Sequence, residues 1–255
     1  MHIRIRWRRY DQALGDIAFI VREKYPDMAA IDIGANVGDT AAIICAYEDI
    51  PVLAIEGNSR FIPYLHENAR RLGCHIKVLN CFVGPPECGV DLAAVATKYG
   101  TSSVVSAVNN DGVGCKMRDL ASIVDSHPAF RRARLLKIDT DGFDFQIIMS
   151  SISYLATARP VLFFEYDTGF SRGDEENSQK TIEKLTAIGY VYFVIYDNFG
   201  NFLLSTTIPQ TFAELNSYLR SNRANGMAVS YFDVCCFHRN DEDLFDRLRS
   251  LETSR

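Results

Sequence analysis

Short apolar runs, each ending at a glycine or an acid and followed by a segment of helical period, recur along this 255-residue chain. Residues 10–24 carry Leu14, Ile17, Ala18 and Val21 at helical spacing, and Pro26 disfavours helix in the residue before it. Residues 29–33 form an apolar run stopped by Gly34, the mark of a buried strand. Helix is expected over 38–47, a second strand over 52–56, a helix over 61–72 closed by Gly73, and a third strand over 75–83. The rhythm resumes with a short helix at 119–125, a fourth strand within 133–142, a helix over 143–155 and a fifth strand over 159–167. Such alternation means βαβ units and a parallel sheet.

The intervening stretch 84–118 is rich in glycine, proline and asparagine and reads as an irregular insertion with one or two small strands near the third strand. Beyond the fifth strand come a polar loop at 171–178, helix to 188, a sixth strand at 190–197, and a turn at 198–200 with 201–205 pairing back. Helix over 209–219, a last strand at 229–239 whose direction the pattern leaves open, and a frayed helical tail complete the chain. The expectation is one domain over 1–255: a doubly wound, mostly parallel seven-stranded α/β sheet with helices on both faces. Residues 1–28 form an N-terminal helical, basic extension.

A net charge of −5 gives no electrostatic reason to expect nucleic acid as a partner. The exception is the cluster Arg4, Arg6, Arg8 and Arg9, read as a solvated strand or arm. No apolar run reaches the ~18 residues of a membrane span, and no secretory signal follows the basic start. Seven cysteines include no CxxC pair and read as thiols of a reducing cytoplasm, with no zinc-ligand spacing. Oligomeric state is left open.

The first turn, "AAIDIGANVGDTAAI", has nucleotide-site geometry: strand, glycine bend, helix. Gly34 permits the bend, Asn36 tolerates left-handed backbone, and Gly38 lets the helix start come close. The spacing is not GxGxxG, and Asp32 and Asp39 flank the turn. Two like charges ~4 Å apart cost about 4 kcal/mol even at an effective dielectric near 20. The ligand at this bend is therefore expected to lack phosphate and to carry positive charge, as S-adenosylmethionine does. The turn's backbone donors, with Ala35 among them, and the helix start would receive its carboxylate. Glu56 ends the second strand, where a carboxylate accepts ribose hydroxyls. Phe82 and Val83, ending the third strand, are placed to sandwich the adenine.

A second constellation, "LLKIDTDGFDFQII", ends the fourth strand with Asp139, Asp141 and Asp144 around Gly142. In the usual strand order Asp139 stands at the mouth of the cofactor cleft. Asp141 or Asp144 also suits a helix cap. Glu165 and Asp167, ending the fifth strand, face the same edge, and Lys137 lies two residues before Asp139 on the same side of its strand.

These stretches, with the Glu56 strand, the Ser102–Ser103 pair, "MRDLASIVD" and "RPVLFFEYD", resemble the FkbM-type methyltransferase family over roughly residues 29 to 167. The resemblance implies a class I, Rossmann-like, S-adenosylmethionine-dependent fold. It also implies O-methylation of hydroxyl groups on sugars or glycans or on polyketide-type natural products. By motif, Asp32, Gly34, Asn36, Gly38 and Glu56 would bind cofactor, and Asp139, Asp141 and Gly142 would border the acceptor. The chain departs from the family in Gly57 after Glu56, where proline is usual, and in aspartates at 141 and 144, where glutamates are usual. Asp139, Asp141 and Glu165 are the catalytic candidates, with Asp139 the base or its anchor and His238 a weaker one. A variant has the same three acids holding Mg²⁺. Two other readings stay open: an NAD-dependent oxidoreductase, and a non-catalytic module that keeps the cofactor fold.

Overall fold

The computed structural model describes residues 12–46, 50–73, 75–90, 95–98, 101–104, 107–109, 115–140, 142–169 and 174–255, with backbone only for 88–116 and 174. The basic cluster at Arg4–Arg9, Cys74 and Asp141 lie outside the described residues, and the Ser102–Ser103 side chains are likewise not described.

Helix α1 (Gln12–Lys24) leads into β1 (Ala30–Ile33), α2 (Asp39–Ile44), β2 (Val52–Glu56), α3 (Ile62–Leu72) and β3 (Ile76–Asn80). Among the described residues the expected insertion holds five short strands, not one or two: β4 (Cys88–Val90), β5 (Val95–Lys98), β6 (Thr101–Val104), β7 (Ala107–Asn109) and β8 (Cys115–Lys116). They form separate sheets of three and two strands. Helix α4 (Leu120–Ser126) then precedes β9 (Leu135–Ile138). The single helix expected over 143–155 is two, α5 (Asp144–Ser150) and α6 (Ile152–Ala158), parted at Ser151. Strand β10 (Val161–Tyr166), α7 (Asp174–Ala187), the hairpin β11 (Tyr190–Asp197) and β12 (Phe202–Thr206), α8 (Thr211–Ala224), β13 (Phe232–His238) and α9 (Glu242–Thr253) follow.

Among the described residues the main sheet has eight strands in the order β12-β11-β13-β10-β9-β1-β2-β3, one more than the seven expected, and β12 pairs back onto β11 as expected. Strands β3, β2, β1, β9 and β10 run parallel, and β13 lies antiparallel between β10 and β11. Every residue of β1, β2, β9 and β10 is buried, because helices cover both faces. On one face, Leu14 and Ile17 of α1 pack with Leu244, Phe245 and Leu248 of α9. The tail is therefore a docked helix, not a frayed one. On the other face α4 to α8 bury Ile123, Ile148, Leu155, Leu185 and Phe212. Among the described residues no helix is long and apolar enough to cross a membrane.

The chain steps outward from β1 to β2 and β3, then returns to lay β9 on the other side of β1. Strand direction of travel reverses there, so the carboxyl ends of β1 and β9 bound the crevice where such folds bind ligands.

Candidate functional site

Two loops meet at that crevice. Gly34 (φ 79°) leaves β1, and a Cβ there would lie 1.7 Å from the backbone oxygen of Asp139, which leaves β9. Only glycine allows this contact. Asn36 takes the left-handed conformation (φ 48°), and Gly38 (φ 91°) turns the chain into α2, its absent Cβ leaving room for Leu65.

The bend's own amides are largely engaged within the fold. Gly34 and Ala35 N–H donate to Ile55 O, and Gly38 N–H to Ala35 O. Asn36 N–H donates to Glu56 Oε2 (2.9 Å) and Asn58 N–H to Glu56 Oε1 (2.6 Å). The expectation that these bend donors receive a ligand carboxylate is thus corrected for Gly34, Ala35, Asn36 and Gly38. Glu56 is buried, which raises its carboxyl above the usual range against the pull of those two amides. Each of its oxygens keeps a second lone pair.

Asp32, 0% exposed, does not face the crevice as an open charge. Thr40 Oγ1 donates to its Oδ2 (2.6 Å), and Oδ1 sees the ammonium of Lys137 at 3.3 Å without a hydrogen bond. Burial pushes its carboxyl up, opposed by Lys137 and Thr40. Lys137, 3% exposed, also lies 3.2 Å from Asp139 Oδ2 and donates to Gly34 O (3.3 Å). One buried cation thereby ties both loops together. Of the two acids paired with Lys137, Asp139 is the open one, its side chain 42% exposed. Asp39 is exposed on the first turn of α2.

Asp144 is buried at the start of α5, and its Oδ2 accepts Thr140 N–H (3.3 Å) and Thr140 Oγ1–H (2.9 Å) while Oδ1 has no hydrogen bond. Burial and the adjacent Asp139 charge push its carboxyl up to about 7. The cap expected of Asp144 is not formed: the N-cap of α5 is Phe143 without a side-chain bond, and Asp144 instead braces Thr140, the residue after Asp139.

Glu165 is buried in β10, one residue past the Phe164–Ile138 pair, which sets it on the strand beside Asp139; Asp233 of β13 is its register partner on the other side. Asp167 is gripped by Arg223 (2.5 Å), which also donates to Thr168 Oγ1 and Ser230 O. That grip links α8 to the loop after β10, and nothing local in the sequence announces it. His238 lies at the opposite end of the sheet, paired in register with Tyr190 at the start of β11. Among the described residues no group of three His, Cys, Asp or Glu side chains is placed to hold a metal, so Asp139 and Glu165 form no such group there.

Phe82 and Val83 follow β3. Val83 is buried and bridges to Arg118; the Phe82 ring covers Gly57, where a Cβ would lie 2.2 Å from ring Cδ1. Gly57 thus leaves the space that the Phe82 ring fills.

Asp32 and Asp139 pair with the ammonium of Lys137, and the Glu56 carboxylate feels the same charge. Asp39 and Asp139, the open acids here, beside a glycine bend disfavour a diphosphate and suit a ligand with a cationic end.

A family model described as "Methyltransferase FkbM domain" matches residues 32–223. No curated protein matches the chain. Among solved structures it is similar to the methyltransferase FkbM of Methylobacillus flagellatus KT, at 16% identity and a TM-score of 0.44. That match covers 63% of this chain but 37% of the other, so the chain spans well under half of that protein. It is also similar to the precorrin-6y C5,15-methyltransferase of Geobacter metallireducens GS-15 (12% identity, TM-score 0.43, 87% and 86% of the two chains). A third is an rRNA methylase of Streptococcus thermophilus (10% identity, TM-score 0.46, 87% and 93%).

Proposed function

From the premise that the chain belongs to the FkbM methyltransferase family, as the match over 32–223 establishes, we propose that it methylates a hydroxyl oxygen of a sugar, glycan or polyketide-type acceptor. Family membership makes it an S-adenosylmethionine-dependent methyltransferase; oxygen as the acceptor atom is the reading argued here. The observation that carries it is the pairing of an open carboxylate, Asp139, with a buried ammonium, Lys137, at the β1–β9 crevice.

The bound cofactor supplies a methyl group on a cationic sulfur, which leaves without needing an acid. Glu56, with its two backbone amides fixing the carboxylate, is the acceptor for ribose hydroxyls. Gly34 and Gly38 let the bend close against the Asp139 loop and Leu65, which shapes the cofactor side of the crevice, and Asp39 adds negative charge on the α2 side. Phe82 and Val83 wall the adenine end. Asp139 takes the proton that the acceptor hydroxyl loses as its oxygen bonds to the methyl carbon. Lys137 keeps Asp139 oriented for that transfer. Holding the two reactants in line supplies roughly 7–11 kcal/mol of the rate enhancement. Asp141 and Glu165 are assigned to the acceptor side of the same edge.

The test is methyl transfer from isotopically labelled S-adenosylmethionine to a panel of glycosides and polyhydroxylated aglycones, with the labelled atom located by mass spectrometry. Asp139→Asn is expected to lower kcat by roughly 10²–10⁴ while cofactor affinity by calorimetry stays within a few-fold. Label found on nitrogen or carbon, or full turnover in Asp139→Asn, would overturn the assignment.

A further inference from the structure

With the ribose of the methyl donor on Glu56 and its methionine end toward the β1–β9 crevice, the base bonded to that ribose lies toward β3, the edge strand beside β2. The side-chain position that follows Glu56 is 57, and it is empty. Gly57 is not among the residues with positive φ, so its backbone is one that other residues adopt as well. What excludes a side chain is a ring. A Cβ on residue 57 would lie 2.2 Å from Phe82 Cδ1, 2.3 Å from Cε1 and 2.7 Å from Cγ.

That ring has little room to yield. Its Cγ moves only if χ1 leaves its staggered well or the backbone shifts. The backbone is held on both sides. Cys81 N–H donates to Glu56 O (3.1 Å), Phe82 O accepts Arg118 N–H (2.9 Å), and Gly84 N–H donates to Arg118 O (3.0 Å). Asn80 Nδ2 donates to Glu56 O (2.8 Å) and to Gly57 O (3.1 Å). The loops after β2 and β3 are thus laced together, and the ring stands at a fixed place beside the residue after Glu56. Val83 is buried, whereas Phe82 is half-buried against the core and keeps surface to offer. An aromatic face holds a nucleobase by stacking.

We propose that Phe82 reaches through the space residue 57 leaves empty to wall the adenine, which makes Gly57 a positioning residue for the methyl donor that acts only through Phe82. The inference rests on the methyl-donor reading above and makes affinity for the base depend on a glycine that need not touch the ligand. The test is calorimetric titration of the full chain with S-adenosylhomocysteine. Phe82→Ala is expected to weaken binding about tenfold, and Phe82→Tyr, which keeps the ring, to restore most of that loss. Gly57→Ala is also expected to cost about tenfold, because its Cβ drives the ring out of place. In Gly57→Ala/Phe82→Ala no ring is left to displace. That double variant is expected to bind within twofold of Phe82→Ala, where independent effects would multiply to about a hundredfold. A general weakening of the fold would multiply in that way and would not be relieved by tyrosine. Should Gly57→Ala fail to fold, Phe82→Ala against Phe82→Tyr decides by itself. Wild type that binds S-adenosylhomocysteine, with Phe82→Ala within twofold of it or with the double variant as weak as the product of the single ones, overturns the inference and leaves the methyl-donor reading standing. Wild type that does not bind S-adenosylhomocysteine removes that reading and the inference with it.

Discussion

Replacing Lys137 by methionine would leave Asp32 as a carboxyl with no compensating charge in a place without solvent. Breaking one side of a buried pair costs about 3–5 kcal/mol, more than the pair itself contributes. Urea denaturation of Lys137→Met is expected to show a loss of that size, and adding Asp32→Leu to recover most of it; a single variant as stable as wild type would mean that Lys137 does not hold Asp32. Asp144 makes a pH prediction. Its carboxyl, pushed up to about 7, binds a proton more tightly folded than unfolded, where the ordinary value is near 3.8. The stability so contributed is full below the unfolded value and is lost as pH rises through about 7. Between pH 5 and 8 wild type should therefore lose, relative to the non-titrating Asp144→Asn, on the order of 1–3 kcal/mol. Parallel stability curves for the two proteins over that range would exclude the shift. At this scale the sequence shows where the acids lie along the chain but not their exposure. Asp32 and Asp139 look alike in the chain, but Asp32 lies inside β1 opposite Lys137 of the neighbouring β9, whereas Asp139 follows the end of β9 and stays open.

Elements were legible where their signals are local. Strands β1, β2, β9 and β10 read as unbroken apolar runs because both their faces are covered. The break between α5 and α6 falls in a run of serines, poor helix formers, where Ser150 Oγ–H bonds back to Ile147 O. The five short strands of the insertion were not legible, since strands of two to four residues carry too few side chains for a period to register. The tail was misread for the opposite reason: its many charges suggest solvation, yet Leu244, Phe245 and Leu248 form a narrow stripe that docks beside α1. If α9 is part of the core, Leu248→Ala should cost about 2–5 kcal/mol in thermal or urea unfolding. A loss under ~0.5 kcal/mol would return the tail to a frayed appendage.

For the whole molecule, a ligand that binds only the folded state stabilises it by about 2.7 kcal/mol at a hundred times its Kd. For a chain of this size that is a rise of roughly 5–10 °C in melting temperature. S-adenosylmethionine or S-adenosylhomocysteine is expected to produce it and NAD is not, because a diphosphate would lie against Asp39, Glu56 and Asp139. A rise with NAD and none with the methyl donor would reverse the choice of cofactor. What the sequence determined by itself was the alternation of strand and helix, the glycine bend, and the acids at strand ends, all properties of residues near one another in the chain. The tertiary structure decided the antiparallel course of β13, the hold of Lys137 on two loops, the hold of Arg223 on Asp167, and the Phe82 ring in the space beside Gly57. Each of these joins residues 25 to more than 100 positions apart, and contact at such range is fixed by how the sheet is ordered, which no local period encodes.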